Sequence, residues 1–154
     1  MDQDVARRSS GPMASSRRRW PSIASWAAVT GRAASRPWLQ VCTASSRSPG
    51  LAKRARKIFD TLKYTNIVVT INDGTLGWKE HAPYDGIIVT AAAPRPPKAL
   101  LDQLAQGGRL VIPVGDESSQ DIMVYIREDN DQLKEENRGG CRFVKLIGDQ
   151  GWKE

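Results

Sequence analysis

The stretch Tyr84–Gly115, YDGIIVTAAAPRPPKALLDQLAQGGRLVIPVG, decides the fold that the sequence predicts. Within it, Gly86–Thr90 and Leu110–Val114 are short apolar runs rich in β-branched residues. Such runs are typical of strands that are covered on both faces, as in a parallel sheet. The two runs therefore predict two neighbouring buried strands.

The residues between these strands have the pattern of a helix. Pro96–Pro97 can start a helix, because a missing N–H costs little in the first turn. Gly107–Gly108 is expected to end it, because glycine tolerates the left-handed conformation of a helix end. The apolar face of the helix is formed by Leu100, Leu101 and Leu104. Two strands joined by a helix form a βαβ unit, so the sequence predicts an α/β fold.

Upstream of this unit, Leu51–Leu62 has the spacing of an amphipathic helix and Ile67–Ile71 the composition of a strand. The apolar face of that helix is predicted to contain Leu51, Ala55, Ile58, Phe59 and Leu62. The basic residues Lys53, Arg54, Arg56 and Lys57 occupy the other face, and we interpret them as a solvated surface.

Downstream, Asp121–Arg127 and Cys141–Ile147 alternate as strands do, and the charged segment Glu128–Gly140 between them predicts an exposed hairpin. Phe143 and Val144 compete for the core side of the second strand. The sequence thus predicts an antiparallel strand pair added to a parallel sheet.

The charge composition of the 154-residue chain changes near Gly50. Residues 1–50 hold eight Arg, no Lys and two Asp, a net charge of +6, whereas residues 51–154 hold fifteen basic and fifteen acidic residues. The length suits one domain, and no apolar run is long enough for a membrane span. Cys42 and Cys141 fit neither a metal site nor a disulfide framework, which favours a reducing cytoplasm.

The basic first third shows no sustained apolar period, and we interpret residues 1–50 as a low-complexity, disordered segment. Arg17–Trp20 also resembles a basic, aromatic patch for nucleic acid. An Arg- and Ser-rich start is similar to an organellar transit peptide. Ile23–Val29 could form a turn or two of helix.

A shifted reading frame explains more of this composition. GC-rich coding DNA translated in the wrong frame can yield Arg, Ser, Ala, Pro and Trp without Lys. Val41–Gly50 can be back-translated so that a shift of one nucleotide spells V-Y-S-I-E-P-V-P-G, a strand ending in an acid. Pro12–Ser16 can likewise encode H-G-I-V-A. The hypothesis is that residues 1–50 are frame-shifted.

The chemistry-bearing residues of the ordered part lie at predicted strand ends, where open α/β sheets bind ligands. Asp73 can accept a hydrogen bond from an adenine amino group or a ribose hydroxyl, or it can simply form a turn. The small residues Ala91–Ala93 allow close approach to the backbone, or they only pack. His81, the single histidine, is interpreted as a surface residue. Motifs of metal-dependent or triad hydrolases are missing.

Residues 51–154 resemble the C-terminal half of protein-L-isoaspartate (D-aspartate) O-methyltransferases, over about two thirds of the chain. The residues that carry the resemblance are Asp73–Gly74, Leu76–Trp78, His81–Pro94, Ala99–Leu104, Gly107–Gly115, Leu146–Gly148 and Gly151–Trp152.

The resemblance implies a class I, Rossmann-like methyltransferase fold with S-adenosylmethionine as methyl donor. It implies methyl-ester formation on isoaspartyl carboxylates of damaged proteins, and a monomer without metal. The residues implied to bind the donor are Asp73, Gly74, Thr90 and Ala91. Those implied to bind the substrate are Ala92, Ala93, Leu146 and Ile147.

Three parts of the family pattern are absent: the Gly-rich donor loop, the acid after the second strand, and the segment with the catalytic-site serine. The catalytic residue is therefore unknown. We expect a fold incomplete at its N-terminus, a sheet without its centre, marginal stability and weak donor binding.

These observations divide the chain into residues 1–50 and a methyltransferase part, residues 51–154, and predict a protein-repair methyltransferase homologue that is impaired as written. One rival is a non-enzymatic, basic nucleic-acid-binding protein with a degenerate methyltransferase core. Another is a genuine variant with a new N-terminal module.

Overall fold

One mixed seven-stranded sheet organises the protein, for which we obtained a computed structural model. The structure describes residues 27–32 and 40–153, with side chains from residue 47 onward. The strands are β1 (Ala27–Arg32), β2 (Gln40–Ser46), β3 (Ile67–Ile71), β4 (Tyr84–Val89), β5 (Leu104–Gly115), β6 (Gln120–Arg127) and β7 (Leu133–Cys141). The helices are α1 (Pro49–Thr61) and α2 (Lys98–Asp102), with short 3₁₀ turns at Gly74–Leu76 and Lys79–His81.

The order across the sheet is β3-β2-β1-β4-β5-β6-β7. β2 pairs parallel with β3, and β4 pairs parallel with β5. β1 is antiparallel to both β2 and β4, so β2, β3, β4 and β5 all point the same way. The expected α/β architecture is confirmed, and the C-terminal strands add to it in antiparallel fashion.

The centre of the sheet is filled, which corrects our expectation that it would be missing. β1 and β2 lie between β3 and β4 and come from the segment before Gly50, in which no strand was predicted. Residues 27–29, placed by the sequence in a short helix, lie in β1. The error arose because each strand has a single valine, Val29 in β1 and Val41 in β2, among small or polar residues, which gives no apolar alternation. The other residues of the predicted disordered segment lie largely outside the described ranges.

α1 confirms the helix predicted at Leu51–Leu62, but its apolar face is narrower than predicted. Ala52 is the residue of α1 that is buried, whereas Ile58 and Leu62 are exposed. The reason is that α1 packs mainly on the edge strand β3 and on its neighbour β2, so only a narrow stripe of the helix faces the sheet.

α2 is shorter than predicted, because the chain has already become strand β5 at Leu104. Gly107 and Gly108 therefore lie within a strand and do not end a helix. Gly107 has a positive φ of 74°, and the pairing of β4 with β5 shifts register at this point. A side chain at Gly108 would collide with the Tyr84 carbonyl, so close approach of the two strands requires glycine there.

The C-terminal hairpin is shifted from its predicted position. The second strand of the pair is Leu133–Cys141, within the segment predicted to be an exposed hairpin, and residues 142–144 are irregular. Phe143 and Val144 are both exposed. The charged β7 gave no strand pattern because it is the edge of the sheet and most of its side chains face solvent.

The two faces of the sheet differ in cover. Ile87, its neighbour Leu110 and the next residue across, Tyr125, are buried in the main core, which includes Leu100 of α2. On the opposite face, Ile88 has 51% of its surface exposed. Adjacent residues of one central strand therefore lie in very different environments.

This difference predicts unequal effects of truncating the two isoleucines. Ile87→Ala is expected to lower the free energy of unfolding by about 2–5 kcal/mol, because it opens a cavity in packed core. Ile88→Ala is the matched control and is expected to cost less than about 1 kcal/mol, because much of that side chain is already in water. Urea denaturation measures both, and equal losses would contradict the described cover of the sheet.

Candidate functional site

The carboxyl ends of the four parallel strands meet at one edge of the sheet. Arg47 directly follows β2, Asp73 follows β3, Thr90 follows β4, and Gly115 ends β5. The amino end of β1 lies at this same edge, since Ala27 pairs with both Ser45 and Val89. Four strand ends and the entry into β1 therefore surround one region.

A cavity of about 250 Å³ opens at this edge. We call it the strand-end cavity; it is lined by Arg47, Asp73, Ile147, Gly148, Asp149, Trp152 and Lys153. Two cationic and two anionic side chains share its wall with one indole. The wall therefore offers hydrogen-bonding groups of both charges and a flat aromatic surface.

The carboxylate of Asp73 is held by three internal donors. The Thr75 backbone N–H and hydroxyl donate to Asp73 Oδ1 at 2.9 and 2.7 Å, and the Asp149 N–H donates to Oδ2 at 2.7 Å. Partial burial acts to raise the pKa of Asp73, but these hydrogen bonds and the nearby Arg47 outweigh it and leave the pKa below its ordinary value of 3.8. Asp73 thus ties the turn after β3 to the C-terminal loop as an ionised group.

The C-terminal loop, residues 148–152, is fixed at several further points. Gln150 accepts a hydrogen bond from the Ala99 N–H at 2.9 Å and donates its own N–H to Thr75 Oγ1 at 3.1 Å. The Trp152 indole N–H donates to the Ala92 carbonyl at 3.0 Å. A Cβ at Gly148 would overlap the Asp73 carboxylate, so the loop can approach Asp73 only with glycine at that position.

The structure separates the eight predicted site residues into accessible and buried ones. Asp73 and Ile147 line the strand-end cavity. Thr90, which follows β4, is exposed. The other five, Gly74, Ala91, Ala92, Ala93 and Leu146, are buried. The fold therefore places Asp73 and Ile147 in the wall of the same cavity and leaves the three alanines buried beneath the surface.

Backbone pairing explains why the alanines are buried. Ala92 N–H donates to the Val144 carbonyl at 2.7 Å, and the Ala92 carbonyl accepts from Leu146 N–H at 2.8 Å. Ala93 N–H donates to the Pro113 carbonyl at 3.0 Å, and Gly115 N–H donates to the Ala93 carbonyl at 3.1 Å. The small side chains allow the chain segments on either side to approach this backbone.

Sequence reasoning missed five residues of the cavity: Arg47, Gly148, Asp149, Trp152 and Lys153. Arg47 lay in the segment interpreted as low-complexity, although its position next to a helix start was a usable signal. Asp149, Trp152 and Lys153 reach the strand ends only through the tertiary fold, and a single sequence carries no signal for that. Gln103 was missed for the same reason, since it bonds both Leu76 O and Trp78 N–H.

Chemically, the site can bind a polar ligand, but the described residues offer no nucleophile and base held together. Across residues 27–32 and 40–153, no group of three or more His, Cys, Asp or Glu side chains could hold a metal ion. His81 is exposed, packs edge-on against Trp78 and stands apart from the cavity lining. The arrangement is suited to holding ligands by hydrogen bonds and stacking.

The three hydrogen bonds to Asp73 predict a specific effect of Asp73→Asn. Removing the charge should lower the free energy of unfolding by about 1–3 kcal/mol, because hydrogen bonds to charged groups are the stronger ones. Hydrogen exchange of the Asp149 amide should speed up at the same time, since that N–H loses its carboxylate acceptor. Asp149→Asn is the matched control, because it keeps this N–H and removes only an exposed carboxylate.

The same contacts fix the pH dependence. Because the folded-state pKa of Asp73 is lowered, its stabilisation is present at neutral pH and is lost as the pH falls below 3.8 towards the folded value. The difference in unfolding free energy between the wild-type chain and Asp73→Asn should therefore shrink in acid. A difference that stays constant from neutral pH down to about pH 3 would contradict this role for Asp73.

Comparison with known proteins identifies relatives of the chain. The family model for protein-L-isoaspartate(D-aspartate) O-methyltransferase (PCMT) matches residues 27–151. A protein-L-isoaspartate O-methyltransferase of Syntrophus aciditrophicus is 54% identical over 108 residues, which cover 69% of this chain and 50% of that protein. An enzyme of the same name from Syntrophobacter fumaroxidans is 50% identical over 107 residues, covering 70% of this chain and 50% of its own length.

Solved structures agree in fold. A protein-L-isoaspartate O-methyltransferase structure superposes with a TM-score of 0.64 at 25% identity, covering 71% of this chain and 35% of that one. The beta-aspartate methyltransferase (PCMT) from Plasmodium falciparum, solved with S-adenosyl-L-homocysteine, gives a TM-score of 0.58 at 22% identity, covering 67% and 50%. This chain spans about half the length of the curated relatives that it matches. The match begins at residue 27, upstream of the boundary that charge suggested, and the chain belongs to the protein-L-isoaspartate (D-aspartate) O-methyltransferase family.

Proposed function

We propose that this chain is a homologue of the isoaspartyl protein-repair methyltransferases whose donor binding is impaired as written. The family's reaction moves a methyl group from S-adenosylmethionine to the carboxylate of an isoaspartyl residue. The ester then collapses to a succinimide, which can reopen to normal aspartate. The observation that carries the family's function to this chain is the match of the family model over residues 27–151.

The substrate side of the proposal is supported by what the C-terminal half retains. The family model matches residues 27–151, a range that includes the turn after β3 and the alanine loop after β4. In this proposal damaged proteins approach near Ile147, which lines the strand-end cavity. Thr90 is exposed and would form part of the surface that the substrate meets. The buried residues Ala92, Ala93 and Leu146 would support that surface from beneath.

The proposed impairment of donor binding is supported by the geometry of the sheet. In an open α/β sheet a dinucleotide or similar ligand binds at the first strand-to-helix turn, on the amino end of a helix. Here β1 is antiparallel to its neighbours, so its carboxyl end lies at the opposite edge from Asp73. Only residues 33–39 join β1 to β2, fewer than the dozen or more that a crossover between parallel strands requires.

The side chains at the strand ends point to the same conclusion. Arg47, a cation, follows β2 where a donor's ribose would need an acceptor. Asp73 Oδ1 already accepts two internal hydrogen bonds and Oδ2 accepts one, which leaves less acceptor capacity for a ligand, and Gly74 is buried. Ala91 is buried as well. Of the four residues predicted to bind the donor, Asp73 and Thr90 are therefore the accessible ones. We therefore propose no catalytic step for this chain.

The nucleic-acid-binding rival stays a prediction, because its basic patch, Arg17–Trp20, lies outside the described residues. The cytoplasmic location and the monomeric state also remain predictions. Among the described residues, no helix is long and apolar enough to cross a membrane.

Titration of the full chain with S-adenosylmethionine tests the proposal. Isothermal calorimetry should detect no binding with a dissociation constant near 1 μM. That affinity corresponds to a binding free energy of about −8 kcal/mol, which we expect only of a complete donor site. Methyl transfer to an isoaspartyl peptide should not exceed transfer to the same peptide with normal aspartate. A folded monomer that binds the donor at micromolar concentration would refute the impairment.

Sequencing of codons 1–60 tests the proposed cause of the impairment. If residues 1–50 are frame-shifted, another frame should encode the glycine-rich donor loop and rejoin the present one at Pro49–Leu51. A chain translated in that frame should bind S-adenosylmethionine, which makes it the matched control for the titration. If no frame encodes the loop, the frame hypothesis is wrong and the N-terminal residues belong to a genuine variant.

A further inference from the structure

A second cavity lies between α1 and the outermost parallel strand, β3, and shares no lining residue with the strand-end cavity. Its volume is about 350 Å³, and we call it the edge groove. It is lined by Ala52, Lys53, Arg56, Lys57 and Asp60 of α1 and by Val69 and Ile71 of β3. The floor is apolar, and Ile71 has 51% of its surface exposed.

The wall of the edge groove is strongly cationic. It is lined by three cationic residues, Lys53, Arg56 and Lys57, and by one acidic residue, Asp60. Within the described part of the chain, the side chain of none of these four makes an ion pair or a hydrogen bond. Three cations thus surround an apolar floor without partners of their own.

The groove also borders an open sheet edge. β3 is the last strand of its side and pairs with β2 alone among the described strands. Its sequence, Ile67-Val-Val-Thr-Ile71, contains none of the lysines, prolines or inward charges that commonly protect an edge strand. Among the described strands, none pairs with the outward backbone N–H and C=O groups of β3, which could accept another strand.

We propose that the edge groove binds an acidic, extended peptide segment of a partner protein, which adds to β3 as a further strand. An added strand would lie about 4.8 Å from β3 and would direct every second side chain to the α1 side. Acidic side chains at those positions would meet Lys53, Arg56 and Lys57. The apolar floor formed by Val69 and Ile71 would take the stems of the same side chains.

A peptide explains more of this surface than a nucleic acid does. Phosphates would account for the cations but would leave the apolar floor and the unpaired strand edge unused. An extended peptide uses all three features, because backbone hydrogen bonds supply affinity and alternate side chains supply specificity. The proposal does not rest on methyl transfer, because no residue that lines the edge groove also lines the strand-end cavity.

The test measures binding of a labelled hexapeptide, in which Glu alternates with Val or Thr, to the full chain by fluorescence anisotropy. The double variant Lys53→Gln/Lys57→Gln should weaken binding on the order of tenfold or more, because two of three partners for the acidic side chains are lost. Arg54→Gln is the matched control on the same helix, since Arg54 does not line the groove, and it should change binding by less than about twofold. Circular dichroism verifies that each variant keeps its fold.

Two further peptides separate strand addition from simple attraction of charge. One is N-methylated at its odd residues and the other at its even residues, so that one of them cannot donate hydrogen bonds to β3. The proposal requires one of these two to lose binding on the order of tenfold while the other keeps it.

The proposal is overturned if both N-methylated peptides bind like the parent, or if Arg54→Gln weakens binding as much as the double variant does. It is also overturned if a matched peptide with Lys in place of Glu binds equally well. Binding of a labelled dT12 oligonucleotide in preference to the acidic peptide would assign the cations to nucleic acid and reject the peptide. Absence of any binding by the acidic peptide to the folded chain would reject the site itself.

Discussion

The backbone of Ala92 and Ala93 is the point on which the rest of the structure depends. Three segments from the C-terminal part of the chain meet it: β5 through Pro113 and Gly115, the segment at Val144 and Leu146, and the indole of Trp152. These contacts require side chains no larger than a methyl group, because both alanines are almost wholly buried. The loop that looks like an open ligand-binding turn in the sequence is in fact the internal support of the C-terminal loop.

That support determines what the site can do. The C-terminal loop is held from one side by Ala92 and from the other by Asp73, so it forms a fixed wall of the strand-end cavity. Asp73 serves this wall with both of its carboxylate oxygens. β1 enters the same region with its amino end, because it is antiparallel to β2 and β4. The impaired donor binding that we propose rests on this direction of β1.

The sequence predicted the elements that depend on apolar pattern. α1, β3, β4 and β6 were located because β-branched runs and an amphipathic stripe carry strong signals. β1 and β2 were missed because each has a single valine among small or polar residues, which gives no apolar alternation. β7 was missed because an exposed edge strand needs no buried face. Of the predicted site residues, Asp73 and Ile147 line the strand-end cavity, and their roles stay predictions. Arg47, Asp149 and Trp152 reach the same cavity through contacts between residues distant in sequence, which no local pattern encodes.

The direction of β1 offers the most direct test, because the proposed impairment of donor binding rests on it. Nuclear Overhauser effects between backbone protons of β1 and β4 measure that direction in a ¹³C,¹⁵N-labelled sample. An antiparallel pairing predicts Hα–Hα contacts in descending register, with Val29 opposite Ile87 and Ala28 opposite Ile88. Contacts in ascending register would show a parallel β1, would place its carboxyl end beside Asp73, and would contradict the account of an impaired donor site.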